Sequence, residues 1–76
     1  MNLVAITKKP GSIVRYKSNN KFQEGRILLS ITRGGITYLV LQDVQKKTIC
    51  HKLAEECVLT KICVNNHFFD LAGKAI

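Results

Sequence analysis

The segment at residues 24–43, EGRILLSITRGGITYLVLQD, constrains the fold most, because it holds two apolar runs separated by a short turn. Arg33, Gly34 and Gly35 suit a tight hairpin turn, since glycine readily adopts the positive φ angles that such turns require. Both runs are rich in β-branched and aliphatic residues, which favour strands. The segment therefore predicts a β-hairpin whose strands are apolar on both faces.

Further segments extend this hairpin into an antiparallel sheet. "SIVRYK" alternates apolar and polar residues, so we expect a half-buried strand with Val14 and Tyr16 on its inner face. The second strand is expected at residues 22–31, with Gly25 marking a bulge or sharp bend, and the third at residues 36–44. "TICHKL" and "VLTKICV" predict two more strands, separated by the short helix-like turn "AEEC". The fold class expected is all-β, a five-stranded antiparallel small barrel or a sandwich.

We expect the two faces of the central hairpin to have different surroundings. One face of each strand fills the interior of a barrel, and we expect Ile27, Leu29 and Ile31 to do so on the second strand and Tyr38 and Val40 on the third. The other face carries Leu28, Leu39 and Leu41 and therefore needs cover. Together with Phe68 and Phe69 of the tail, these leucines form an apolar surplus, the candidate interface with another protein. The candidates for that cover are the N-terminal arm, the C-terminal tail, a second copy of the chain or another protein.

The chain of 76 residues is long enough for one domain and is close to the lower limit for independent folding. We expect an N-terminal arm or short strand at residues 1–10, the barrel at residues 11–63, and at residues 64–76 a tail that packs on the barrel or on a partner. Asn65 or Asn66 can cap a short helix in the tail, although so short a helix forms only when it docks.

Twelve Lys and Arg against five Asp and Glu give a net charge of +7, which attracts polyanions. Most of these cations fall in the first two strands or in turns, where an antiparallel sheet gathers them along one side and rim. The candidate phosphate contacts are Arg15, Lys17, Lys21, Arg26, Arg33, Lys46 and Lys47, with Lys52 as an extension. Such a stripe neutralises phosphates and releases counterions. The alternative is a solvated polar face without a ligand.

Metal binding and catalysis are not expected. Of the residues Cys50, His51, Cys57, Cys63 and His67, only Cys63 and His67 approach the spacing of paired zinc ligands, so no metal or cofactor is predicted. The five carboxylates are scattered and indicate no catalytic pocket. An odd number of cysteines, together with an N-terminus that lacks the charge of a secretory signal, favours reduced thiols in the cytoplasm. No apolar run approaches the ~20 residues of a membrane span.

The order of these pieces, from residue 11 to residue 62, is "GSIVRYK", a polar loop, "FQEGRILLSI", "GGITYLVLQD", a lysine turn, "TICHKL", "AEEC" and "VLTKI". This layout resembles the Src-homology-3-like small barrels, such as Tudor and KOW domains and the DNA-binding C-terminal domain of retroviral integrases. In that family a short helical turn commonly precedes the last strand, where "AEEC" stands. The resemblance implies a basic barrel that acts on nucleic acid. With no Trp, neither a Tudor-like aromatic cage nor a groove for proline-rich peptides is expected.

The function expected from the sequence is therefore non-enzymatic binding of DNA or RNA through a basic face. The alternative is a protein-interaction module, a regulator, adaptor or inhibitor of a larger protein. Its anchors would be the apolar surplus defined above, with basic residues at the rim that steer the encounter.

Overall fold

The computed structural model describes residues 8–76, which form one six-stranded antiparallel sheet. The strands are β1 (Ile13–Ser18), β2 (Lys21–Arg33), β3 (Ile36–Asp43), β4 (Ile49–Leu53), β5 (Val58–Val64) and β6 (His67–Phe69). A 3-10 turn, Ala54–Glu56, links β4 to β5, and the strand order in the sheet is β4-β3-β2-β1-β5-β6. The all-β class and the turn before β5 confirm the expectation. The expected arm or short strand at residues 1–10 falls largely on residues 1–7, which lie outside the described residues.

Three of the hairpins close through two-residue turns in which both central residues have positive φ. The pairs are Asn19-Asn20 (51° and 61°), Gly34-Gly35 (57° and 79°) and Asn65-Asn66 (51° and 66°). Type I′ turns require this conformation, which glycine adopts freely and asparagine tolerates better than most residues. The third pair corrects the helix-cap prediction, because Asn65 and Asn66 reverse the chain into β6.

The C-terminal tail is a strand where the sequence suggested a short helix, so the count of five strands is also wrong. Ile62 pairs with Phe69 and Cys63 with Phe68, and the Ile76 N–H donates to the Phe68 carbonyl at 3.0 Å. The strand β5 offers the tail an existing row of backbone partners, which a helix of this length would have to replace with its own. Phe68 and Phe69 are half-buried on this hairpin.

The core is a cluster to which the three strands β1, β2 and β3 and the 3-10 turn contribute. Its members are Val14, Tyr16, Ile27, Leu39, Leu41, Ala54 and Cys57, with Cys50 and Leu59 packed against it. The cluster confirms that Val14 and Tyr16 face inward. It also shows that the sheet curves, because residues of β1, β3 and the 3-10 turn meet in one cluster.

A bulge in β2 decides which apolar side chains enter this core. Ile27 pairs with Leu41 but Leu29 pairs with Val40, so Leu28 is one extra residue in β2. One inserted residue reverses the face of every residue that follows it. Ile27 consequently lies inside at 1% exposure, whereas Leu29 is 51% exposed, and its expected place in the interior is wrong.

The face prediction for β3 is reversed as well. Leu39 and Leu41 are fully buried, while Tyr38 is 40% exposed. The two leucines therefore need no partner, because β1 and the 3-10 turn already cover them. Both faces of β3 are apolar, so alternation alone could not choose between them. Asp43 shares the inner face with the leucines and is itself buried.

Gly25 serves a close approach between strands and does not form a bulge. It pairs in register with Val14 on one side and Asp43 on the other. A Cβ at this position would lie 3.0 Å from Tyr16 Cε1 and 3.2 Å from Leu41 Cβ. Glycine thus lets the tyrosine ring lie against the β2 backbone.

The register makes a direct prediction for two leucines of the central hairpin. Leu39→Ala is expected to lower the free energy of unfolding by about 2–5 kcal/mol, because it leaves a cavity in the core. Leu29→Ala should cost less than about 1 kcal/mol, because half of that side chain already faces water. Urea denaturation measures both, and a larger loss for Leu29→Ala would contradict the position of the bulge.

Candidate nucleic-acid interface

The hairpin of β1 and β2 presents two cations and one exposed aromatic ring on its outer face. Arg15 and Lys17 are exposed, and Lys17 lies directly opposite Phe22 in the register. Phe22 is 68% exposed. The guanidinium carbon of Arg15 is 5.3 Å from the centroid of the Phe22 ring, and Lys17 Nζ is 6.0 Å from it. We call these three residues the Phe22 platform.

Two clefts border the platform. The first, of about 280 Å³, has Arg15 and Phe22 on one side and Val44 and Gln45 of the β3–β4 turn on the other. The second, of about 560 Å³, lies between Phe22 and Lys52, with Lys17 also in its wall. The platform is therefore a ridge with an open depression on each side.

The β3–β4 turn is held beside the platform by the carboxylate of Asp43. Asp43 Oδ1 accepts hydrogen bonds from the backbone N–H groups of Gln45 at 2.9 Å and Lys46 at 2.8 Å. The hydroxyl of Tyr16 donates to Asp43 Oδ2 at 2.8 Å, which ties the turn to β1. The backbone N–H of Val44 donates to the Glu24 carbonyl at 3.0 Å. The turn that carries Lys46 and Lys47 is thus fixed to both neighbouring strands.

These contacts shift the pKa values of Asp43 and Tyr16 in opposite directions. The pKa of the Asp43 carboxyl lies below its ordinary value, first because of the hydrogen bond from the Lys46 backbone and then because of that from Tyr16. The pKa of Tyr16 is raised, chiefly by burial and then by its hydrogen bond to Asp43. At neutral pH the carboxylate is charged and the phenol protonated, which is the state that the hydrogen bonds require.

The structure places five of the seven cations predicted from the sequence to contact phosphates on two neighbouring elements. Arg15, Lys17 and Lys21 lie on the β1–β2 hairpin, and the β3–β4 turn adds Lys46 and Lys47. Arg26 lies on β2, four residues after Phe22 and on the same exposed face of the strand. Arg33, by contrast, is the last residue of the 13-residue strand β2, at the end opposite Phe22. Lys52, the suggested extension, lines the second cleft.

Two features of the site could not be decided from the sequence. From the sequence both Phe22 and Tyr16 are possible base-stacking residues, and the structure leaves Phe22 exposed opposite Lys17 and buries Tyr16. The other feature is the opposing charge, because the exposed carboxylates Glu24 and Glu56 border the first and second cleft respectively.

The apolar patch expected from the sequence is not assembled. Leu39 and Leu41 belong to the core, Leu28 is the bulge residue at 39% exposure, and Phe68 and Phe69 lie on β6 at the other end of the strand order.

The structure has a different exposed apolar face. It consists of Leu29, Ile31, Tyr38 and Val40, which pair as Leu29 with Val40 and Ile31 with Tyr38. Ile31, Tyr38 and Val40 line an open groove of about 560 Å³ together with Arg33 and His51.

The remaining chemistry of the described chain is sparse. Within residues 8–76, no three His, Cys, Asp or Glu side chains are placed to hold a metal ion. Cys50, Cys57 and Cys63 are free thiols, and burial raises the pKa of Cys57. The same residues contain no helix of the length and apolarity that crossing a membrane requires.

No protein family model, curated protein or solved structure matches the chain.

Asp43→Asn tests the brace that positions the basic turn. At pH 7 the substitution should lower the free energy of unfolding by about 1–3 kcal/mol, because it weakens hydrogen bonds to a charged buried group. The lowered pKa of Asp43 makes this contribution complete above about pH 4, the ordinary pKa of Asp, and removes it as the pH falls through the native value. Urea denaturation of both proteins between pH 7 and pH 2 should therefore show converging stabilities. A difference that is the same at every pH would contradict the proposed charge on Asp43.

Proposed function

We propose that this protein is a non-enzymatic nucleic-acid-binding protein that contacts phosphates through the basic face around Phe22. The observation that carries the proposal is the position of the β3–β4 turn: its residues Val44 and Gln45 line the cleft beside Arg15, and the same turn carries Lys46 and Lys47. Cations from separate parts of the chain then follow a single path that a phosphate backbone can occupy. Contacts of this kind give affinity with little sequence preference and a strong dependence on salt.

The charge balance along this path favours an anion. Asp43 borders the first cleft, but three hydrogen bonds compensate its carboxylate and only 3% of the residue is exposed. The exposed Glu24 and Glu56 oppose binding locally, but the five assembled cations and Lys52 outnumber them. The overall charge of +7 supports the same proposal, because it raises the local concentration of a polyanion.

We also propose that the curved sheet is a Src-homology-3-like small barrel. Three features support it: the strand order β4-β3-β2-β1-β5, the 3-10 turn immediately before β5, and the long bulged strand β2 that pairs with both β1 and β3. The short added strand β6 departs from the expected five. The three free thiols are in keeping with a reducing, cytoplasmic location.

Salt-dependent binding tests the proposed function. Fluorescence anisotropy with a labelled single-stranded oligonucleotide should give a dissociation constant that rises steeply with salt. Arg15→Gln with Lys17→Gln, and separately Lys46→Gln with Lys47→Gln, should each weaken binding. Each pair should also reduce the slope of log K against log salt by about 1.4, because every single-strand phosphate that is no longer neutralised lowers the slope by about 0.7.

The matched control removes the same charge elsewhere. Arg33→Gln with Lys74→Gln lies at the far end of β2 and in the tail, so its slope should stay near that of the unsubstituted protein. Glu24→Gln should strengthen binding, since it removes a carboxylate from the first cleft. Undetectable binding at low salt, or an equal loss of affinity in the control, would overturn the proposal.

The apolar face supports a second candidate function, docking on another protein. Leu29 is 51% exposed and Tyr38 40% exposed, and they lie on neighbouring strands of one sheet face. A contiguous exposed apolar surface of this kind is typical of interaction sites. The simplest occupant is a second copy of the chain, because the identical face is apolar in both molecules and so buries no unpaired charge at its centre.

Self-association through the apolar face has a specific test. Sedimentation equilibrium of the unsubstituted protein should show a concentration-dependent dimer, and Leu29→Lys should leave a monomer because it places a charge in the contact. Lys46→Gln is the control and should dimerise like the unsubstituted protein. A monomer at all concentrations up to the millimolar range would rule out the second copy as the occupant.

A further inference from the structure

Phe22 stands out among the aromatic residues of the described chain because it is the most exposed and has two cations over its ring. Its 68% exposure leaves an apolar ring in water, where it contributes little to the core. The contacts with Arg15 at 5.3 Å and Lys17 at 6.0 Å are cation–π interactions. These contacts orient the ring and do not bury it.

The neighbourhood of the ring suits one kind of ligand. A nucleobase stacks on an aromatic ring whatever its sequence, because every base has a π-face. The backbone phosphates on either side of that base need cations at close range, and Arg15 and Lys17 supply them. The two clefts flanking Phe22 extend to Gln45 of the β3–β4 turn on one side and to Lys52 on the other, so the strand can continue in both directions.

A duplex does not fit this arrangement equally well. In double-stranded nucleic acid the base faces are stacked on each other and are out of reach of a ring on a protein surface, whereas the bases of a single strand can turn outward. The Phe22 ring lies on an open ridge between shallow clefts. On such a ridge the ring can stack on a base that is already turned outward.

We propose that Phe22 is a base-stacking platform and that the ligand of this site is single-stranded nucleic acid. This inference rests on the proposed function, because the cations around the ring are the same ones that contact phosphates. It adds that the bases, and not the phosphates alone, are bound.

An abasic oligonucleotide separates the two contributions. It carries the same phosphates as the ordinary oligonucleotide but has no bases to stack. In anisotropy titrations at one salt concentration, the unsubstituted protein should bind the ordinary single strand about 5- to 150-fold more tightly than the abasic strand, the range expected for stacking of one base. It should also prefer the single strand to a duplex of equal length.

Substitutions of the ring give the matched comparison. Phe22→Leu should lose the preference for bases and keep the salt slope, since no phosphate contact is removed. Tyr38→Leu removes an exposed aromatic ring from the apolar face and should change neither property. Phe22→Trp should retain the preference, and because the chain contains no other Trp, quenching of its fluorescence on binding reports on the ring itself.

The outcomes distinguish the inference from the proposed function. Equal affinity for ordinary and abasic strands, or tighter binding of the duplex, would overturn base stacking while leaving phosphate binding in place. Binding of none of the three ligands at low salt would overturn both. A Phe22→Leu protein that keeps the native circular dichroism spectrum and the full preference for bases would also contradict the role of the ring.

Discussion

The hydrogen bond from Tyr16 to Asp43 is the contact on which the arrangement of this small sheet depends. It joins β1 to the end of β3 across β2, and it is formed because Gly25 lets the tyrosine ring lie against the β2 backbone. The same carboxylate organises the β3–β4 turn through two backbone N–H groups. A single buried charge therefore closes part of the core and also holds the turn that carries Lys46 and Lys47 against β1 and β2. Burying a carboxylate is costly unless it is hydrogen-bonded, and here three donors compensate it.

Much of the strand layout could be predicted from the sequence, because alternation, turn residues and β-branched runs are local signals. The strands β1 to β5 and the 3-10 turn follow from them. The faces of β2 and β3 could not be predicted in the same way, since both faces are apolar and no glycine or proline marks the bulge at Leu28. Packing in the core determines which faces of β2 and β3 are buried, because Ile27 pairs with Leu41 and both lie in one cluster with Tyr16. The sixth strand was missed because Asn65-Asn66 is compatible with either a helix cap or a hairpin turn.

The candidate site was predictable to the extent that it depends on alternation. Arg15 and Lys17 face outward because Val14 and Tyr16 face inward, and that much is local. The neighbours of these cations are not local. The lysines of the β3–β4 turn approach through the Asp43 brace, and Lys52 approaches through the fold of β4 and the 3-10 turn. Arg33 does not belong to the site, because it lies at the end of the 13-residue strand β2 that is opposite Phe22. The result is a sheet with two distinct outer surfaces, one basic around Phe22 and one apolar around Tyr38.

The central claim is that a single strand of nucleic acid lies on the basic surface with a base on Phe22. A two-dimensional NMR titration of ¹⁵N-labelled protein with a short single-stranded oligonucleotide tests it most directly, because every backbone amide reports on its own surroundings. We expect the largest shifts at residues 15–22 and 43–47, with residues 29–31 and 38–40 little changed. Shifts concentrated on the apolar face, or no shifts at low salt, would contradict the claim.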